Sequence, residues 1–148
     1  MQAIVKLTRR GFRTNIKVGE IIEYNDERYI LTHIIAIEHV YSSSAHMVVK
    51  GIAQLVGSKS NYSLYENTSV FTKKYPKAQY GHENPLYRVG DIFLFDGTCA
   101  EITSIDSIKY EFVDLVVTYR SRLIRPWSDE EINQAIKEDR LSKFTVIN

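Results

Sequence analysis

Lys17-Val18-Gly19-Glu20-Ile21-Ile22-Glu23-Tyr24 is followed, 71 residues on, by Arg88-Val89-Gly90-Asp91-Ile92-Phe93-Leu94-Phe95. Every aligned pair except Glu23/Leu94 is identical or keeps its chemistry. In each copy a Val-Gly turn signal precedes a short apolar run. The run then meets a polar break, Asn25-Asp26 in the first copy and Asp96-Gly97 in the second. Such dipeptides between apolar segments favour a tight hairpin. The match continues through Thr32/Thr103, Ile34/Ile105 and Ile37/Ile108. It returns as Met47-Val48-Val49 against Leu115-Val116-Val117, with Leu55 against Leu123. Self-similarity of this kind marks a repeated supersecondary unit. The chain is therefore read as mainly β, two related small modules forming an internal repeat.

The strands follow from the same pattern. Ala3 to Leu7 is predicted as a first strand, Arg28 to Ile37 as the hairpin return and Met47 to Leu55 as a third strand. In the second copy Cys99 to Ile105 returns and Tyr110 to Tyr119 continues the sheet, with a slip of parity at Val113-Asp114 that marks a turn or a bulge. The repeat offset falls from 71 (Ile37/Ile108) to 68 (Met47/Leu115), so the first copy carries three extra residues, assigned to the serine-rich segment Tyr41 to Ala45. The expected division is 1–57 for an N-terminal extension and first β module, 58–87 for a connecting arm, 88–125 for the second module and 126–148 for a helix and tail. The arm holds Tyr62, Tyr65, Tyr75, Tyr80 and Tyr87, and exceeds ordinary connections in compact domains. Thr68 to Thr72 within it has the makings of a short strand. In the tail, Ser128 and Glu131 form a capping box, and Asp129, Glu130 and Glu131 suit the positive end of a helix dipole. Ile132, Ala135 and Ile136 make a thin apolar stripe, with Lys137 and Arg140 closing a helix of about three turns. So thin a stripe must dock to persist.

Composition bounds the function. With 19 Lys+Arg against 18 Asp+Glu the net charge is +1, which gives no bulk electrostatic argument for a polyanion. Cys99 is the sole cysteine, so an intramolecular disulfide and a multi-cysteine metal site are both excluded. No apolar run approaches the roughly 20 residues that span a bilayer, and the expectation is a cytoplasmic protein, or one incorporated in a particle assembled there, without membrane contact. Gly51 to Ser60 has the wrong glycine spacing for a phosphate loop. His33, His39, His46 and His82 lack metal-ligand spacing. Cys99 has no evident activating base, and the paired carboxylates Glu20 with Glu23 and Asp91 with Glu101 sit at turns and strand edges. No enzymatic activity, cofactor or metal is expected.

The strand-turn pattern Val-Gly-Glu/Asp-Ile-x-x-Tyr/Phe-Asn/Asp resembles small SH3-like β-barrel modules in tandem, over about 40 residues of each half. In size, basic N-terminus and tyrosine-rich connection the chain is also similar to β-barrel proteins of bacteriophage connectors, necks and tails. That resemblance implies a non-enzymatic structural or assembly protein, a virion component, forming a homo-oligomer or larger assembly. Its contacts would be Tyr62, Tyr65, Tyr75, Tyr80 and Trp127, since tyrosine and tryptophan are favoured at interface hot spots. Two alternatives remain open. One is nucleic-acid binding by Arg9, Arg10, Arg13, Lys73, Lys74, Arg120 and Arg122, cations interleaved with aromatics. The other is a small soluble inhibitor of a partner protein. A small-molecule pocket at the seam between modules is open too.

Overall fold

The structure is a computed structural model that describes residues 1–59 and 62–147; positions 60 and 61 of the expected arm and 148 of the expected tail lie outside them. The strands are β1 (Gln2–Arg10), β2 (Ile21–Tyr24), β3 (Glu27–Tyr41), β4 (His46–Leu55), β5 (Thr68–Tyr75), β6 (Ile92–Phe95), β7 (Thr98–Glu111) and β8 (Asp114–Leu123), followed by α1 (Asp129–Ile147). They form two four-stranded antiparallel sheets with the same connectivity, β1-β4-β3-β2 and β5-β8-β7-β6. The mainly β, two-module reading holds. The segment 58–87 is not a free arm, however: its middle is β5, paired with β8 from Thr68↔Arg122 to Tyr75↔Leu115. β5 is the second module's counterpart of β1.

The repeat extends to individual hydrogen bonds. Gly19 N–H donates to Leu31 C=O and Gly90 N–H to Ile102 C=O, both at 2.8 Å, and both glycines sit at φ +97°, where a Cβ is strained. Leu31 and Ile102 return bonds to Glu20 and Asp91. The Glu20 and Asp91 carboxylates accept the Lys17 and Arg88 amides at 3.1 and 2.7 Å. Both long strands bulge after the same residue, Leu31/His33 and Ile102/Ser104, and again at Ile34/Ala36 and Ile105/Ser107. At the first bulge Thr32 donates its hydroxyl to Ile52 C=O, and Thr103 donates to Arg120 C=O. The three extra residues of the first module divide differently from expectation. Two enlarge the turn, Ser42–Ala45 against Phe112-Val113. One makes a third bulge at Ile37/His39. The Val113-Asp114 slip is the β7–β8 turn.

Bulges curl each sheet so that side chains of its outer strands share one core, without pairing the strands. Flat, β5 and β6 would lie about 14 Å apart, three strand spacings; instead the Phe71 and Phe93 rings touch at 5.6 Å between centroids. Val5 of β1 and Ile22 of β2 likewise share a core with Tyr29 and Ala53. The second core is aromatic, with Tyr75, Ile102, Val117 and Tyr119 lined by Phe71, Tyr87 and Phe93.

The modules are joined by buried glutamines. Gln2 is 1% exposed; its side-chain oxygen accepts Cys99 N–H at 2.7 Å, its amide donates to Ile124 C=O at 3.2 Å, and its backbone N–H donates to Gly97 C=O at 2.7 Å. Gln54 accepts from Trp127 N–H at 2.8 Å and donates to Trp127 C=O at 2.9 Å, which fixes the approach to α1. The capping box forms as expected: Glu131 N–H donates to Ser128 Oγ at 3.2 Å, and Ser128 N–H donates to the Glu131 carboxylate at 3.3 Å. The helix has 19 residues rather than three turns, so Lys137 and Arg140 lie inside it. Ile132 is buried and Ala135 lies beside Gly19, so α1 docks on the first module.

Candidate functional site

Of the residues singled out from sequence, the tyrosines separate by environment. Tyr75 is a correction: it is 0% exposed and belongs to the core, out of reach of a partner. Its hydroxyl donates to Pro85 C=O at 2.7 Å and lies 2.8 Å from Tyr119 OH, which accepts Tyr87 N–H at 3.2 Å. With both ends fixed, the hydroxyl of Tyr119 must donate to that of Tyr75, a one-way chain. Burial and this bond push the Tyr75 phenol far above its ordinary range. Tyr62 bonds Asn67, and Tyr65 bonds Asp96 while its ring meets Phe95 edge-on. Tyr80 is exposed. Trp127 is tied by its backbone to Gln54.

The cations are mostly engaged. Arg9 pairs with Glu20 at 2.8 Å, Arg120 with Asp106 at 2.9 Å and Arg122 with Glu101 at 3.4 Å. Lys74 lies 3.5 Å from Asp114 and 3.9 Å from Glu111. Lys73 stands over the rings of Tyr75 and Tyr87, 5.6 and 5.0 Å from their centroids, and desolvation holds its ammonium pKa below the usual value. Arg10 and Arg13 are exposed, with no ion-pair partner among the described residues. Together the cations form no continuous stripe: Arg9, Arg10 and Arg13 belong to the first module, the others to the second.

Reactive chemistry is sparse. Cys99 is fully buried, and burial pushes its thiol up to about 12, which leaves essentially no thiolate near neutrality. Desolvation lowers the pKa of His33, whose Nδ1 lies 2.9 Å from Thr32 Oγ1. Among the described residues no group of three or more His, Cys, Asp or Glu is placed to hold a metal ion, and no helix is long and apolar enough to cross a membrane. At the seam, a cavity of about 420 Å³ is bounded by His33, Gly90, Glu101, Arg122 and Arg125. Both arginines there face acids, Glu101 and Glu131.

The most unusual surface belongs to residues that the sequence reading treated as strand, loop or turn and gave no contact role. β3 and β7 run far past their short neighbours. β2 ends its pairing at Ile21↔Ile30 and β6 at Ile92↔Glu101, whereas β3 pairs with β4 to Tyr41 and β7 with β8 to Glu111. The outer parts of β3 and β7 therefore lack a strand on one side among the described residues, although the facing Val48, Val49, Val116 and Val117 of β4 and β8 are buried. Ile37, Val40, Tyr41, Ile108, Tyr110 and Val113 are all at least half exposed there, and Phe112 is completely exposed, at φ +56° in the turn. Single exposed apolar residues are ordinary; two matched clusters of them are not. The signal available in sequence was length, since strands of 15 and 14 residues overshoot so small a core.

Comparison of the chain with protein-family models, with curated proteins and with solved structures finds no match in any of the three.

Proposed function

We propose that the protein is a non-enzymatic assembly protein that works through protein–protein interfaces, with the outer halves of its two hairpins as contact surfaces. The single observation that supports this is the pair of matched apolar clusters on the outer parts of β3 and β7, the second extending into the turn that follows β7. Full burial of each such side chain returns about 1.5–3 kcal/mol. Five of them, Ile37, Val40, Ile108, Tyr110 and Phe112, together reach the order of the 4–15 kcal/mol cost of association. The placement in a bacteriophage connector, neck or tail, and in the cytoplasm where such particles assemble, extends the reading on the resemblance of the strand-turn pattern alone. Nucleic-acid binding is the weaker reading, because the net charge is only +1 and the cations, divided between the two modules, form no continuous stripe along which a polyanion could run.

Light scattering coupled to size exclusion, across concentration and at two salt levels, tests the proposal. The expected result is a particle larger than the monomer that grows with concentration and shrinks when Ile37, Ile108, Tyr110 and Phe112 are changed together to threonine. A monomer at every concentration, indifferent to those changes, would overturn it. Co-elution with nucleic acid that is lost at higher salt would favour the weaker reading.

A further inference from the structure

The hairpins expose backbone as well as side chains. Because β2 and β6 stop early, the edge of β3 from Thr32 to Tyr41 and that of β7 from Thr103 to Glu111 have no neighbouring strand on that side among the described residues. An open edge carries a row of unpaired N–H and C=O groups, and natural proteins usually cover, shorten or charge such edges. These two are long and apolar, with Ile34, Ile37 and Val40 on one and Ile105, Ile108 and Tyr110 on the other.

We infer that each open hairpin edge receives an added strand from a second copy of this chain, β1 or β5, by antiparallel or parallel pairing. This rests on the assembly reading and gives it a partner and a geometry. Charge selects the occupant. β1 carries Lys6, Arg9 and Arg10 and no acid, and β5 carries Lys73 and Lys74 and no acid. The open part of β3 carries Glu38 and no lysine or arginine, and that of β7 carries Asp106 and Glu111 against Lys109. Pairing β1 with β1, or β5 with β5, sets like charges across the ladder, which is unfavourable. Pairing a first strand with a hairpin edge sets cation against acid. The side chains already match this way within one chain, as Lys6 meets Glu38 at 2.9 Å and Lys74 meets Glu111 at 3.9 Å. β1 and β5 are outer strands of their sheets and, beyond Gln2, whose N–H is bonded to Gly97, have no strand on one side among the described residues. Each copy thus offers two acceptors and two donors, a head-to-tail relation that closes into a ring or runs on as a filament.

Residue-resolved amide exchange, run on the full chain at low and high concentration beside light scattering, decides the matter. The expected result is a protection gain of about tenfold or more at alternate amides of 32–41 and 103–111 as the particle grows. The Ile37→Lys/Ile108→Lys variant is expected to abolish both, because lysine on an edge disfavours pairing. Arg10→Glu changes an exposed side chain with no ion-pair partner among the described residues; it should weaken association while leaving unfolding unchanged. Association without added protection on these edges would overturn strand addition and leave the assembly reading standing. A wild type that never associates would overturn both.

Discussion

The side chain of Gln2 accepts the amide of Cys99 at 2.7 Å, although 97 residues separate them. The same side chain donates to Ile124, so one buried amide group satisfies two backbone groups of the second module. Gln2→Leu keeps the volume and deletes both bonds. Each orphaned buried group costs about 1–3 kcal/mol, and urea unfolding should show a loss of at least about 2 kcal/mol. A variant as stable as the wild type would show that the seam is not held this way.

Thr32 and Thr103 make the same bond at equivalent bulges, but Thr32 is buried and Thr103 is exposed. Water replaces a lost partner only where it has access. Thr32→Val should therefore cost about 1 kcal/mol and Thr103→Val close to nothing. Equal effects in chemical denaturation would contradict the difference in burial.

Gly51 has no such latitude. A Cβ there would lie 2.7 Å from Leu31 Cδ1 and 2.8 Å from His33 C=O, the second of which is backbone. Gly51→Ala is expected to destabilise by about 1–3 kcal/mol through overpacking, with a lower thermal midpoint as the readout. An unchanged midpoint would mean that β3 yields at its bulge. The equivalent position in the second module is Tyr119, so the two copies fill one place with opposite extremes of size.

The Cys99 thiol predicts a pH effect. Burial raises it from 9.0 to about 12, so the folded state favours the neutral form. Its contribution is complete below pH 9 and is lost as pH rises from about 9 toward 12, because only the unfolded chain releases the proton there. The wild type should therefore lose more stability than Cys99→Ala between pH 7 and pH 10.5. Parallel pH profiles for the two proteins would sink the idea. Alkylation of the native protein at pH 8 should also be slow, governed by opening of the seam.

Much of this architecture was legible in the repeat itself. Gly19/Gly90 and Thr32/Thr103 align because they make the same bonds, and Ser128 with Glu131 reads as a cap on sight. β5 was harder. Its residues match β1 only at isolated places such as Val5/Phe71, and its partners on β8 lie 40 (Tyr75↔Leu115) to 54 (Thr68↔Arg122) residues away, beyond any local pattern. Tyr75 entered the contact set as one of several tyrosines in the segment read as a connecting arm; only the neighbouring rings and the Tyr119 hydroxyl show that it is interior. Gln2 and Gln54 resemble surface glutamines until their backbone partners are seen. The hairpin surface was missed for a further reason: alternation reveals that a strand has two faces, but not whether anything lies against either one.

The β6–β7 turn of the second module is covered by the start of β1, and Thr98 and Cys99 are buried there. The equivalent turn of the first module presents Glu27 and Arg28 to solvent. The duplicated unit thus has a plug and a socket, and the chain uses the join once. A charged pair stands in place of threonine and cysteine, with α1 alongside at a cavity bounded by Arg28 and Ile136, so the first module's turn differs from the buried socket of the second. Duplication without that change would leave every socket ready for another plug, and the tandem would have no defined length.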